Sequence, residues 1–307
     1  LTYLRGKCNT PAENKLGVHN IFTLGRKHGV DIRRGGAYNL IMNKKRTTYI
    51  AAAVAAVCAA IFLIIYFAPL QFSSDPVCDG LWRDVLPRVA LTVAVMAVAA
   101  LCGYGGFFKI SRGDAARNIL WCLPCFAVAL ANFPHSALAS GSAVIDRPDL
   151  IWLFLLKCLF IAASEELLFR GILLRFLQEV FEKKKHAFIL SVVTSSAVFA
   201  LFHLLNLAEG AGLGATMLQV GYTFLTGLVF ACVTARTGNV WGAIIIHFVF
   251  DIGGLIVSDL GHGQFQDAVF WALTAIAAAI CAVHLVLYAI KRDGAESRSH
   301  NDDPPEC

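Results

Sequence analysis

Three groups of polar residues interrupt long apolar runs in the second half of this 307-residue chain. They are Ser164-Glu165-Glu166-Leu167-Leu168-Phe169-Arg170, Phe199-Ala200-Leu201-Phe202-His203 and His247-Phe248-Val249-Phe250-Asp251. An ionisable side chain within a membrane helix costs about 2.5 kcal/mol or more at the bilayer centre, so such residues point to function by default. Glu166 and Arg170 are four apart, which places them on one helix face as an ion pair. Glu165 points about 100° away from Glu166 and is left to face a cavity. A carboxylate in a poorly solvated place suits general-base work; the alternative is a structural charge cluster at the membrane edge. His203, with Asn206 one turn on, is either a helix–helix hydrogen bonder or a catalyst. His247 and Asp251 share a face. They read either as metal ligands or as a histidine held in one tautomer by an acid.

The elements that must position these residues are membrane helices. Hydrophobic residues make up 57% of the chain and charged residues 15%, against about 25% charged in soluble domains. Mean hydropathy is +0.65. This excludes a soluble enzyme, a disordered chain and a disulfide-stapled secreted domain. The net charge of +5 does not indicate nucleic acid, because the charges sit between apolar runs and no nucleic-acid motif is present. Most cysteines lie in apolar runs, where they behave as small hydrophobes; Cys122-Leu-Pro-Cys125 reads as a kinked helix around Pro124.

A span needs about 20 apolar residues. Eight candidates run over 48–68, 86–103, 116–134, 150–171, 188–207, 215–235, 240–258 and 268–290. The expected fold is therefore an all-α polytopic helix bundle of about eight spans. Residues 1–47 form a basic tail, either disordered or, before Met42, an upstream extension of the reading frame. N-terminal spans occupy 48–134, the core 150–258, the last span 268–290 and a polar tail 291–307. Alternate loops carry twelve Lys and Arg against three, with Lys183, Lys184, Lys185, Arg236, Lys291 and Arg292 among the twelve. Basic loops mark the cytoplasmic side, so both termini are expected there, and an even span count agrees.

The three groups reach one depth only if the apolar run from Leu150 continues past Gly171 as a helical hairpin turning at Lys183–His186. An interfacial helix after a break at Gly171 is the alternative. Lys157 is expected to snorkel near the outer surface. His135, His262 and His284 are placed in or near outer loops and helix ends, without a role. Gly210, Gly212 and Gly214 form a flexible outer loop rather than a phosphate cradle, because no strand precedes them.

In this order the three groups resemble the CPBP family of intramembrane proteases, which includes type II CAAX prenyl endopeptidases and bacterial Abi bacteriocin-immunity proteins. The family pattern is Glu-Glu-x-x-x-Arg, Phe-x-x-x-His, then His followed four residues on by Asn or Asp. It is met by Glu165, Glu166 and Arg170, by Phe199 and His203, and by His247 and Asp251, and covers about 150–255. The resemblance implies hydrolysis of a peptide bond in a membrane-anchored peptide or protein. Glu165 would activate water with help from His203. His247 and Asp251 would bind metal or stabilise the oxyanion, and Glu166 and Arg170 would hold their helix in position. It further implies a divalent metal such as zinc, with Glu165, His203, His247 and Asp251 as its candidate ligands. The chain has no His-Glu-x-x-His, so zincin geometry is absent. Asp251 stands where the prenyl-protease branch often has Asn, which favours a metal ligand over a neutral donor. A bacterial plasma membrane is the expected location, with the site open to the cytoplasmic half. A non-catalytic immunity or scaffold protein of the same fold and an ion-coupled transporter are the competing readings.

Overall fold

The computed structural model describes residues 70–108, 115–208 and 210–302, together with residues 53, 57, 60 and 64. The basic tail of 1–47 lies outside the described residues. So do the expected first span at 48–68, apart from those four residues, and the end of the C-terminal tail.

The described chain is a helix bundle. Helix α1 covers Pro76–Leu101, α2 Ala115–Ala131 and the short α3 His135–Ser140. A strand, β1, follows at Ala143–Ile145. Helix α4 covers Ile151–Glu166, α5 Leu174–Phe181, α6 Ala187–Phe202, α7 Leu213–Thr237 and α8 Trp241–Leu260. Strand β2, Gly261–Gly263, pairs antiparallel with β1, setting Ala143 opposite Gly263 and Ile145 opposite Gly261. Helix α9 covers Ala268–Asp302. The two three-residue strands are a small departure from the all-α expectation: the loops before α4 and after α8 meet and pair their free backbone groups.

Four stretches among the described residues are long and apolar enough to cross a membrane: Ala187–Leu207, Leu213–Thr237, Trp241–Leu260 and Ala268–Gly294. This is an integral membrane protein. Of the other expected spans, α1 carries Asp79, Arg83, Asp84 and Arg88 in its first half. Helix α2 stops at Ala131, earlier than expected, and keeps Pro124 inside it. The side-chain pattern suits lipid. Small polar residues turn inward, with Ser191, Ser195, Ser196 and Thr234 fully buried, whereas Val283, Leu287 and Ile290 of α9 are more than half exposed. Small residues let helix backbones approach where lipid supplies no hydrophobic driving force.

The feature that sets the site is a hairpin. Helices α4 and α5 are joined through a π-helical segment, Leu167–Leu173, with no break in helical backbone. Gly171 lies inside that segment, so the interfacial-helix alternative does not hold. The chain turns between Phe181 and Ala187, where His186 takes φ 64°. Glu165 stands sixteen residues before Phe181 and His203 sixteen after Ala187. Both are thus about 24 Å along their arms from the turn, at 1.5 Å per residue. The turn gives two residues 38 apart in sequence the same height in the bundle.

Candidate active site

The site forms where the end of α4, the π segment, the end of α6 and the middle of α8 converge. Glu166 and Arg170 are fully buried. Arg170 Nη1 donates to Glu166 Oε1 at 3.0 Å, in the i,i+4 pairing that the spacing predicts. Arg170 Nη2 donates to the carbonyl oxygen of Gly227 at 3.2 Å. The guanidinium lies 4.2 Å over the Phe199 ring and 5.3 Å from the Phe230 ring centroid. A buried cation here has its charge, part of its hydrogen-bonding capacity and its flat faces all engaged, as guanidinium chemistry favours. The π segment that carries it is itself held from outside, because Ser195 Oγ donates to the carbonyl oxygen of Phe169 at 3.1 Å. Such π segments are frequent at functional sites.

His247 on α8 is buried and held through Nδ1. Its Nδ1 lies 2.9 Å from Glu166 Oε1. A carboxylate can only accept, so the proton is on Nδ1. Nε2 then faces Asp251 Oδ1 at 3.5 Å and Glu165 Oε2 at 3.8 Å. The Phe230 ring stacks on the imidazole at 4.8 Å with 17° between planes. Two carboxylates with different surroundings result. Glu166 is enclosed by Arg170 and His247, whereas the Glu165 side chain keeps 28% of its surface exposed.

His203 begins the 3-10 turn His203–Leu207 that ends α6. Its Nδ1 lies 3.1 Å from the Phe199 carbonyl oxygen, which fixes Nδ1 as the donor and leaves Nε2 with the lone pair. Its ring meets Phe199 edge-on at 5.3 Å, and Phe199 meets His247 edge-on at 6.2 Å. Direct contacts therefore join Glu165, Glu166, Arg170, His247 and Asp251. His203 joins the group through the Phe199 ring.

A divalent metal was the expected cofactor. Among the described residues, no three His, Cys, Asp or Glu side chains converge in a way that would hold one. Donation from Nδ1 leaves Nε2 as the outward-facing atom of each histidine, the arrangement usual for metal-bound imidazoles.

Several participants carry no signal in the sequence. Phe230 and Gly227 sit on α7 among other apolar and small residues, and nothing in their spacing marks them. Lys157 is a correction. It does not snorkel outward but is buried at 9% exposure, with Nζ 2.7 Å from Asp84 Oδ2 and 2.8 Å from Asp259 Oδ2. That ion triad ties α1, α4 and α8 together. His284 lies within α9, inside the expected last span, with its ring 4.5 Å from Trp121. The seven cysteines described are free, and the Sγ atoms of Cys125 and Cys281 stand 3.9 Å apart in the core.

Residues 147–253 match the family model described as type II CAAX prenyl endopeptidase Rce1-like. The match covers about a third of the chain and contains all three motifs, and it supports the family resemblance that those motifs carry. No curated protein and no solved structure matches the chain.

Proposed function

We propose that the chain is an intramembrane endopeptidase that hydrolyses a peptide bond of a membrane-associated substrate. The observation that carries this reading is the contrast between Glu165 and Glu166. One carboxylate is consumed by Arg170 and His247; its sequence neighbour is partly open and faces the same imidazole. Glu165 accepts a proton from water, and the water oxygen attacks the scissile carbonyl carbon. The resulting oxyanion accepts a hydrogen bond from Nε2–H of His247. Glu166, through Nδ1, and Asp251 balance the imidazolium charge. His203, whose Nε2 lone pair is available, orients the water. The C–N bond then breaks, and the amine leaves with the proton held by Glu165. General-base help of this kind contributes about 10²–10⁴-fold. Preorganised donors at the oxyanion add a further term in a water-poor site.

No step in this reading is routed through a metal ion. The reading further puts the site in the cytoplasmic half of a bacterial plasma membrane, with both termini in the cytoplasm and about eight spans in all; the basic loops support the orientation. A membrane-anchored peptide end would enter from that side.

The test uses the full chain in detergent, wild type and Glu165→Ala, with a library of membrane peptides read by mass spectrometry, with and without chelator. Cleavage by the wild type and none by the variant is the expected result. Cleavage that chelator abolishes would restore a metal to the mechanism. No cleavage by folded wild type would overturn the reading in favour of a non-catalytic protein of the same fold.

A further inference from the structure

A second site lies away from the carboxylates. A cavity of about 590 Å³ opens between α2, the end of α7 and α9, lined by Trp121, Arg236, His284, Tyr288, Lys291 and Arg292. Three of these side chains are permanently cationic, and no carboxylate lines the cavity among the described residues. The nearest acid along α9, Asp293, is engaged by His186. His284 Nε2 is buried without a protein partner. Its ring is held by Trp121 at 4.5 Å, and Trp121 also meets Tyr288 edge-on at 5.0 Å. Arg292 is steered by the Phe188 ring, 5.2 Å from the guanidinium carbon, and by the Tyr288 hydroxyl at 3.5 Å. The cavity is a concave arrangement of cations and donors, and no counter-charge lines it among the described residues.

Its position says what supplies that charge. The cavity brings Arg236, Lys291 and Arg292 together at the end of the bundle where His186, beside the Lys183–Lys185 turn, meets Asp293 of α9. From there the outer faces of α2 and α9 are apolar and exposed, with Ile119, Leu120, Leu287 and Ile290 each more than 60% accessible. A headgroup in the cavity would have its acyl chains against that surface. Trp and Tyr at this level match the usual interfacial belt, and basic pockets between membrane helices on the cytoplasmic side bind anionic headgroups.

We propose that this cavity binds a phosphate group, supplied by the headgroup of an anionic phospholipid. Arg236 and Lys291 would bind the phosphate oxygens, His284 Nε2 would donate to one of them, and Trp121 and Tyr288 would wall the site. The site is independent of the peptidase reading, since it shares no residue with the carboxylate cluster.

The test is lipid retention by the full chain in detergent, read by native mass spectrometry. The probes are dioleoylphosphatidylglycerol, dioleoylphosphatidylcholine and inorganic phosphate alone. Wild type should retain the anionic lipid selectively. Arg236→Gln with Lys291→Gln should weaken that retention by about fivefold per cation removed, the usual worth of one basic residue near an anionic surface, and Arg236→Lys should restore most of its share. Lys291→Gln alone, on an exposed side chain, carries the test if the double variant fails to fold. Displacement of the lipid by inorganic phosphate, with direct phosphate binding lost in the same variants, would keep the phosphate site and assign it a soluble source. Equal retention of the two lipids, or unchanged retention by a folded Lys291→Gln and double variant, would overturn the proposal.

Discussion

Glu166 Oε1 accepts from Arg170 Nη1 at 3.0 Å and from His247 Nδ1 at 2.9 Å, so a single buried oxygen orients both the guanidinium and the imidazole. The acid that fixes the tautomer of His247 is thus 81 residues away in sequence, on another helix. Asp251, one turn along α8, instead faces Nε2 at 3.5 Å, longer than a good hydrogen bond. The histidine is held from behind, and its free edge points to Glu165.

Replacing Glu165 by Gln should leave thermal unfolding in detergent within about 1 kcal/mol of wild type, because the side chain is partly open and outside the Arg170 pair. Peptide cleavage should fall by about 10²–10⁴-fold. Cleavage at the wild-type rate would remove Glu165 from the role of base.

Glu166→Gln should behave differently. It strips the charge partner from a fully buried arginine, a change that costs about 3–5 kcal/mol. Arg170→Met in the same background should recover part of that loss, since the uncompensated cation is then gone. Unfolding midpoints of the two single variants and the double variant give the coupling. Strict additivity would mean that the pair is not energetically linked.

Gly227 is placed where even a methyl group would be crowded. An added Cβ would stand 3.1 Å from Ser196 Cβ, 3.2 Å from Arg170 Nη2 and 3.3 Å from Phe199 Cδ1. Gly227→Ala should therefore push Arg170 off its carbonyl acceptor and lower stability by about 1–3 kcal/mol, the usual cost of overpacking. Gly221 on the same helix has open space around its Cβ direction. Gly221→Ala is the control and should be close to neutral in the same unfolding assay.

Lys157→Met should destabilise the protein although it removes a charge from an apolar helix. Asp84 and Asp259 would lose the cation between them. Asp84 is more than a third exposed, so water offsets part of the loss, and about 3 kcal/mol is expected, the low end for a broken pair. Asp259→Asn combined with Lys157→Met should cost less than Lys157→Met alone. A Lys157→Met protein as stable as wild type would return Lys157 to the surface.

The loop side has its own pH response. Arg147 pairs with Asp75 at 2.8 Å and with Asp149 at 2.8 Å. Its hydrogen bonds hold both carboxyls below their ordinary value of 3.8. A depressed folded-state value stabilises the fold above the unfolded value, and that stability is lost as pH falls through the folded one. The link between the start of α1 and the segment before α4 should thus be intact at pH 5, start to weaken only below about pH 3.8 and be lost as pH falls further, through the depressed folded-state values. Hydrogen-exchange protection at the start of α1, relative to the intrinsic rate at each pH, should fall below about pH 3.8 in wild type and be already low and unchanged over that range in Arg147→Gln. A loss of protection of equal size in the variant would assign the response to other carboxyls.

Much of this was legible in the sequence because it is local. Helical period alone pairs Glu166 with Arg170 and sets Glu165 aside, since residues four apart share a face whatever surrounds them. Apolar length gave the helices, and the polar break at Lys183–His186 gave the hairpin turn, which equalises the heights of Glu165 and His203. Other relationships depend on how helices rotate and pack against one another, which no spacing within one helix encodes. The acceptance of His247 by Glu166, the stacking of Phe230 on that ring and the approach of Gly227 to Arg170 are of this kind. Lys157 makes the same point. Hydropathy reads a lone lysine near a helix end as a side chain reaching for water, but packing brings Asp84 and Asp259 to it from two other helices and makes burial the cheaper outcome.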